Sequence, residues 1–298
     1  MRRLLPAVLA ALAAFSCAKV AVEEIPALAE KAKRGDGRAV STLVAAMAVP
    51  DHDLSVASYQ AVLGAGEACT AELRIKVRSR DRAIFEASAA ALANLRDRRA
   101  VPDLVAALDE RGERALPAAW ALGLIGDSAA IPPLAASLAS PNPDLRKAAV
   151  RALVRMGSPV EGAVIRVWRE NPAPATERAA IRVLGEIRAP GALSLLLAAK
   201  PGNRDAAVWA LGRLGDKAAA ASLREAMDDP RWQVRREAAQ ALGSLGNPSD
   251  AALLRRALSD RETVVREWAA RSLTALTGED ALYRDEDGKM VPPYNLYH

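Results

Sequence analysis

A segment of about 31 residues recurs along this chain of 298 residues, and this repetition constrains the fold more than any other property of the sequence. One copy, DPRWQVRREAAQALGSLG, ends at Gly246. The residues that close the copies are separated by 27 to 31 positions; they are Gly35, Gly66, Arg96, Gly126, Gly157, Arg188, Gly215, Gly246 and Thr277. A regular period over residues 20–278 predicts one array of stacked modules rather than two ordinary globular domains.

Each copy predicts two helices. Apolar residues follow a closing residue at positions five, eight and twelve, as in Val101, Leu104 and Leu108, which is helical spacing. In the second helix, leucine or valine stands four residues before the closing residue, and alanine or serine stands eight before it. Small residues allow helix backbones to approach each other closely. The pattern therefore predicts second helices that pack side by side.

Glycines inside these predicted second helices need a reason, because a helical glycine costs about 1 kcal/mol relative to alanine. They occupy one repeat position, three residues before the closing residue: Gly123, Gly185, Gly212 and Gly243. We predict that the next module packs against this position. The closing glycines have a separate predicted role as left-handed caps at the helix C-terminus.

The pattern VR..AA.ALG.LG, followed by Asp or Asn, resembles the HEAT repeat in its short, bilin-lyase-like form. The resemblance implies an all-α, right-handed solenoid of about eight helix pairs, with the second helices lining its concave side. It also implies that an arginine at the start of the second helix, present as Arg146, Arg204, Arg235 and Arg266, pairs with carboxylates of adjacent modules. HEAT repeats serve many functions, so the fold does not determine the activity.

Residues 1–16 resemble an export signal, with Arg2 and Arg3 followed by an apolar run from Leu4 to Phe15. The run is too short to cross a bilayer. Cys17 follows the small residue Ser16, which resembles a bacterial lipoprotein signal and implies lipid attachment at Cys17. A plain secreted protein and a retained N-terminal anchor are the alternatives. We expect a location at the cell envelope, on the periplasmic side of a membrane, or secretion.

The second cysteine, Cys69, is expected to be a small buried residue. If Cys17 carries no lipid, a Cys17–Cys69 disulfide is the alternative. Neither cysteine belongs to a cluster with metal-ligand spacing. The formal net charge of +5 falls to about +3 without Arg2 and Arg3, which does not indicate a nucleic-acid partner.

Residues ten, six and two positions before the closing residue lie on one face of each second helix, because they are four apart. We call this set the stripe: Leu116, Trp120, Leu124; Lys147, Arg151, Arg155; Arg178, Arg182, Glu186; Asp205, Trp209, Arg213; Arg236, Gln240, Ser244; Glu267, Arg271 and Ala275. One interpretation is an ordinary solvated face. The other is a recognition surface for an acidic or peptide partner.

Trp120 and Trp209 support the second interpretation, since they share a repeat position on a largely polar stripe and exposed tryptophan beside arginine is typical of binding hot spots. The alternative for each is partial burial against a neighbouring module. Trp168, Trp232 and Trp268 fall at other positions and are expected to pack between helices. The candidate contact residues are Trp120, Arg151, Arg155, Arg182, Trp209, Arg213, Arg236 and Arg271.

Catalytic patterns are sparse. The two histidines are His52 and His298, and the sequence PDHD around His52 does not have the convergent arrangement that metal sites normally need. Some HEAT proteins are iron hydroxylases with repeated His-Glu pairs, and this chain has no such pair. We therefore expect a monomeric, non-catalytic, protein-binding scaffold without cofactor or metal. The alternative is an enzyme-related HEAT protein, either a hydroxylase-like oxidoreductase or a bilin-lyase accessory subunit.

The last 20 residues, 279–298, leave the repeat pattern. End modules of a solenoid need a cover for their exposed core, so we expect this tail to cap the solenoid of residues 17–278. A partner-binding or disordered tail is the alternative.

Overall fold

Helices account for nearly all the regular structure in the computed structural model, which describes residues 20–108 and 112–293. The chain divides into two compact units, with the boundary between Asp127 and Ser128. The first unit contains a leading helix and three helix pairs: α1 (Ile25–Lys33), α2 (Gly37–Met47), α3 (His52–Ala65), α4 (Thr70–Lys76), α5 (Arg82–Asn94), α6 (Val101–Ala106) and α7 (Ala115–Ile125).

The second unit contains five helix pairs, followed by a short hairpin. Its elements are α8 (Ile131–Ala136), α9 (Pro143–Met156), α10 (Glu161–Glu170), α11 (Pro174–Glu186), α12 (Leu193–Leu197), α13 (Arg204–Leu214), α14 (Ala220–Ala226), α15 (Trp232–Leu245), α16 (Ala251–Ala257), α17 (Thr263–Thr277), β1 (Tyr283–Arg284) and β2 (Met290–Val291). The described residues thus form the eight pairs that the repeat predicts. None of their helices is both long enough and apolar enough to span a bilayer.

Side chains cap the starts of several second helices, and the closing residues end them. Asp51 and Asp81, for example, accept hydrogen bonds from the N–H groups of Leu54 and Ile84 at 3.0 and 3.2 Å, which satisfies donors that a helix N-terminus leaves free. Left-handed caps are confirmed at three predicted glycines: Gly126, Gly215 and Gly246.

The caps differ from prediction at three other places. The last repeat closes at Gly278, which is left-handed, and not at Thr277, which is the final residue of α17. Gly66 and Gly157 have positive φ but ψ values of −132° and −152°, a conformation open essentially to glycine alone. Each of these two glycines leads directly into a 3₁₀ turn.

Three of the four predicted helical glycines, Gly185, Gly212 and Gly243, are contact points between neighbouring second helices, as predicted. A Cβ atom built on Gly212 would lie 2.6 Å from the Cβ of Ala241, and one on Gly185 would lie 2.9 Å from the Cβ of Ala210. Real Cβ atoms do not approach so closely, so the backbones meet only because these side chains are absent. The core beneath consists mainly of leucine, valine and alanine from both helices of each pair, with larger residues such as Phe85 and Ile181 among them.

The repeated arginine ties successive pairs together. Arg235 donates from Nε and Nη2 to the two carboxylate oxygens of Asp260 at 2.7 and 2.8 Å, and from Nη1 to the carbonyls of Asp229 and Pro230. Arg204 lies 3.0 Å from Glu225 and 3.4 Å from Asp229 of the following pair. This pairing with carboxylates agrees with the family resemblance. Arg146 differs, since its hydrogen bonds go to the carbonyls of Ser140 and Pro141.

The pair α12–α13 is the short one, because its closing residue follows Arg188 by only 27 residues. Two hydrogen bonds link the shortened connection between α12 and α13 to α11. Glu177 is buried and accepts from the N–H of Lys200 at 2.8 Å, while the Asn203 amide donates to the carbonyl of Pro174 at 2.9 Å. These bonds hold the shortened connection against α11.

The described part of the tail folds onto the last helix. β1 and β2 pair antiparallel, with Tyr283 opposite Val291. Arg266 of α17 donates to the carbonyls of Arg284 and Asp285 at 2.7 and 3.3 Å. Arg266 occupies the same repeat position as Arg235 of α15, which binds Asp260 of the following repeat. For Arg266 the tail supplies the hydrogen-bond acceptors instead. That it caps the solenoid stays a prediction, and residues 294–298 lie outside the described part.

Candidate functional site

Stripe residues at the same repeat position meet across neighbouring helices in the second unit. Arg178 of α11 donates to both carboxylate oxygens of Asp205 of α13 at 3.2 and 2.7 Å. Two turns further along α11, the Glu186 carboxylate accepts a hydrogen bond from Arg213 of α13 at 3.3 Å. Each contact joins equivalent repeat positions of two neighbouring second helices, and we call such a contact a rung. These two α11–α13 rungs pair opposite charges.

The middle rung pairs a cation with an aromatic ring. The guanidinium of Arg182 lies 4.5 Å from the centre of the Trp209 ring, a distance typical of cation–π stacking. A Cβ on Gly185 would lie 2.5 Å from Cζ3 of Trp209, so the indole packs directly on the glycine backbone. Trp209 is therefore half-buried between α11 and its arginine, which matches the alternative of partial burial.

Trp120 of the first unit has a different environment. Its side chain is 44% exposed, and Leu116, one turn earlier, is 40% exposed. The whole of α7, ALPAAWALGLI, contains no charged and no hydrogen-bonding side chain apart from the indole. Trp120 and Leu116 therefore form an apolar surface where stripe positions of the second unit are mostly polar.

Two further candidate arginines are engaged within the chain. Arg236 forms an ion pair with Glu237 and lies 5.9 Å from the ring centre of Trp232. Arg271 lies 3.5 Å from Glu267 and 4.6 Å from the ring centre of Trp268. Both ring partners are half-buried, whereas Trp168 is buried as expected.

The candidates Arg151 and Arg155 of α9 are exposed. Among the residues that the structure describes, neither guanidinium has a carboxylate, carbonyl or ring partner. Lys147, one turn before Arg151, has only Asp144 on its own helix, at 3.4 Å, with both side chains exposed. Arg151 and Arg155 therefore differ from the other stripe arginines, which have partners within the chain.

A shallow pocket of about 260 Å³ lies between α13 and α15. Its lining includes Trp209, Arg213, Gln240 and Arg188. Glu237 also lines the pocket although it is not a stripe residue, because it stands nine residues before the closing residue instead of ten. Burial raises the pKa of Glu237, and the nearby Arg236 opposes that rise.

The two cysteines and the PDHD segment are the remaining sequence candidates. Cys17 lies outside the described residues. Cys69 is fully buried as expected, with its thiol free, and burial raises the pKa of that thiol. In the PDHD segment, Asp51 caps α3. In residues 20–108 and 112–293, no three potential metal ligands converge.

Tandem helix pairs whose second helices pack side by side define an all-α solenoid. A sequence profile described as HEAT repeats matches residues 113–167, 135–203 and 198–274, which together span more than half of the chain. The chain belongs to the HEAT-repeat family. A second profile, described as PBS lyase HEAT-like repeat, matches residues 85–110.

Solved structures are similar at low identity. Importin beta is 15% identical, with 82% of this chain and 41% of that chain covered and a TM-score of 0.52, which supports the solenoid fold. The complex of CpcE and CpcF of phycocyanin lyase from Nostoc sp. PCC7120 is 23% identical, covering 70% of this chain and 88% of that chain, with a TM-score of 0.38. Human deoxyhypusine hydroxylase in complex with glycerol is 21% identical, covering 82% and 97%, with a TM-score of 0.32. A comparison with curated proteins found no match.

Proposed function

We propose that this HEAT-repeat scaffold binds another protein and that the exposed face of α7 is a contact surface. One observation carries the proposal: Leu116 and Trp120 are both substantially exposed, one turn apart, on a helix without a charged side chain. A helix that is apolar on all sides is normally covered on all sides. Single exposed apolar residues are common, but an exposed tryptophan beside a leucine is a typical anchor for a partner.

Loss of the indole tests this surface. We expect Trp120→Ala to reduce partner recovery in a crosslinking pull-down by at least about tenfold, since truncated hot-spot residues cost about 2 kcal/mol or more. Ile75→Ala is the matched control, because Ile75 is 63% exposed on the first helix α4. Circular dichroism verifies that both variants keep their helicity. Equal recovery with Trp120→Ala and the unmodified protein would remove α7 from the proposal.

We further propose that the protein is exported and attached to a membrane by lipid at Cys17. The sequence of residues 1–17 supports this, with two arginines, a short apolar run and a small residue before the cysteine. Fractionation of expressing bacteria tests it: the unmodified protein is expected with the membranes and Cys17→Ala in the soluble fraction. Membrane recovery of both forms would contradict lipid attachment at this cysteine.

An enzyme-related role is the second candidate, and the PBS lyase HEAT-like match to residues 85–110 favours it. In that case the chain would act with a bilin chromophore, or with iron as in a hydroxylase-like oxidoreductase. Absorption spectra and metal analysis of protein purified from its native source separate the two candidates. Stoichiometric bilin or iron would support the enzyme-related role against the scaffold.

A further inference from the structure

Cations occupy all three stripe positions of α9 and two of the three stripe positions of the neighbouring α11. These two helices pack against each other, as α11 and α13 do. In the register seen between α11 and α13, Lys147 would face Arg178, Arg151 would face Arg182 and Arg155 would face Glu186. The same register would therefore make two of the three rungs on this side of α11 cationic.

The carboxylates of the neighbourhood are already engaged. Asp205 accepts two hydrogen bonds from Arg178, and Glu186 pairs with both Arg182 and Arg213. No carboxylate in the described residues pairs with Arg151 or Arg155. Like charges four residues apart also destabilise a helix, by about 0.2–0.5 kcal/mol per pair, and Lys147, Arg151 and Arg155 contain two such pairs. The ion pair of Lys147 with Asp144 offsets part of this cost, but Arg151 and Arg155 have no such pair among the described residues.

We infer that the groove between α9 and α11 binds an acidic, extended segment of a partner protein; this deepens the proposed function and rests on it. Charge complementarity identifies the occupant, because carboxylates in the groove would separate the facing cations. Stripe residues are four apart, so they repeat every 6 Å or so along the helix axis. Alternate residues of an extended chain repeat every 6.6 Å or so. A segment with an acidic side chain at every second position therefore matches the cation row.

The lack of a partner among the described residues distinguishes Arg151 and Arg155 from the other stripe arginines. Arg182, Arg213, Arg236 and Arg271 each have a partner in the chain, so an incoming carboxylate would have to compete with it. Arg151 and Arg155 require no such exchange. Substitution of Arg151 or Arg155 is therefore expected to weaken binding the most.

A fluorescein-labelled peptide with five Glu-Ser repeats tests the inference by fluorescence anisotropy in dilute buffer. We expect binding to the purified full chain, at least about tenfold weakening in the double variant Arg151→Gln with Arg155→Gln, and progressive weakening with added salt. The matched control is Arg166→Gln with Arg169→Gln on α10, which removes the same charge from two exposed arginines on a first helix. The control is expected to change the dissociation constant less than about threefold. Circular dichroism establishes that both double variants are folded.

Three results would overturn the inference. Equal weakening by both double variants would indicate a response to net charge alone. Binding to vesicles of phosphatidylserine and phosphatidylcholine without binding to the peptide would assign the groove to an anionic membrane instead. A pull-down in which the groove variant still captures its partner, while Trp120→Ala does not, would leave the proposed function intact and remove the groove from it.

Discussion

The backbone of Gly243 in α15 packs directly against Ser272 of α17: a Cβ on Gly243 would lie 2.5 Å from both Cβ and Oγ of Ser272 and 3.0 Å from its Cα. Ser272 is buried, so its atoms have little room to move. The absence of a side chain at Gly243 thus sets how closely the last two second helices pack.

Gly243→Ala is therefore expected to lower the free energy of unfolding by about 1–3 kcal/mol, the usual cost of overpacking, although alanine is the better helix former. Gly64→Ala is the matched control, because Gly64 is also helical but has no atom within 4 Å of an added Cβ. That control is expected to stabilise by about 0.5–1 kcal/mol. Urea unfolding measures both, and a stabilising Gly243→Ala would disprove the close contact.

Arg235→Ala is expected to destabilise the protein by about 3–5 kcal/mol, since it leaves the largely buried carboxylate of Asp260 without its partner. The exposed Arg166→Ala provides the comparison and should change stability by less than about 0.5 kcal/mol. Thermal unfolding followed by circular dichroism reports both. Equal stability of the two variants would mean that the arginine does not hold neighbouring repeats together.

Arg188→Gly is expected to stabilise the protein by about 0.5–1 kcal/mol. Arg188 closes α11 with φ of +53°, where most repeats have glycine, and a side chain in this left-handed region is strained. The same replacement inside a helix, Arg166→Gly, should cost about 1 kcal/mol. Chemical denaturation checks the opposite signs, and destabilisation by Arg188→Gly would show that its side chain contributes more than its backbone strain costs.

The protein is expected to lose stability in acid through its arginine-bound aspartates. Burial alone would raise the pKa of Asp205 and of Asp260, but hydrogen bonds from Arg178 and Arg235 hold each pKa below its ordinary value of 3.8. A native pKa below the unfolded value gives stability that is present above pH 3.8 and is lost as the pH falls through the native pKa.

Urea unfolding between pH 7 and pH 2 measures this loss. Asp260→Asn should be less stable at neutral pH and should show a shallower decline in acid than the unmodified protein. An acid decline of unchanged steepness in that variant would show that Asp260 does not contribute. The contribution of Glu237 to stability changes with pH in the opposite direction. Because burial raises its pKa, this contribution favours the folded state at low pH.

Part of the candidate site could be predicted from local pattern. The stripe follows from helical spacing, and the role of Gly185, Gly212 and Gly243 follows from the cost of glycine in a helix. Contacts between repeats could not be predicted in the same way; Arg182 and Trp209, for example, are 27 residues apart and belong to different repeats. Glu237 lies one position off the stripe and becomes part of the site only through burial beside Arg236.

The sequence by itself determined the helix pairs, most of their closing residues and the faces along which they pack, because these depend on spacings within one turn or one repeat. Only the tertiary structure decided which stripe residues are available to a partner. Arg151 and Arg155 share the repeat positions of Arg182 and Arg213, but packing brings the Trp209 indole to Arg182 and the Glu186 carboxylate to Arg213. Charge pairing is set by distance in space, which a single repeat does not contain.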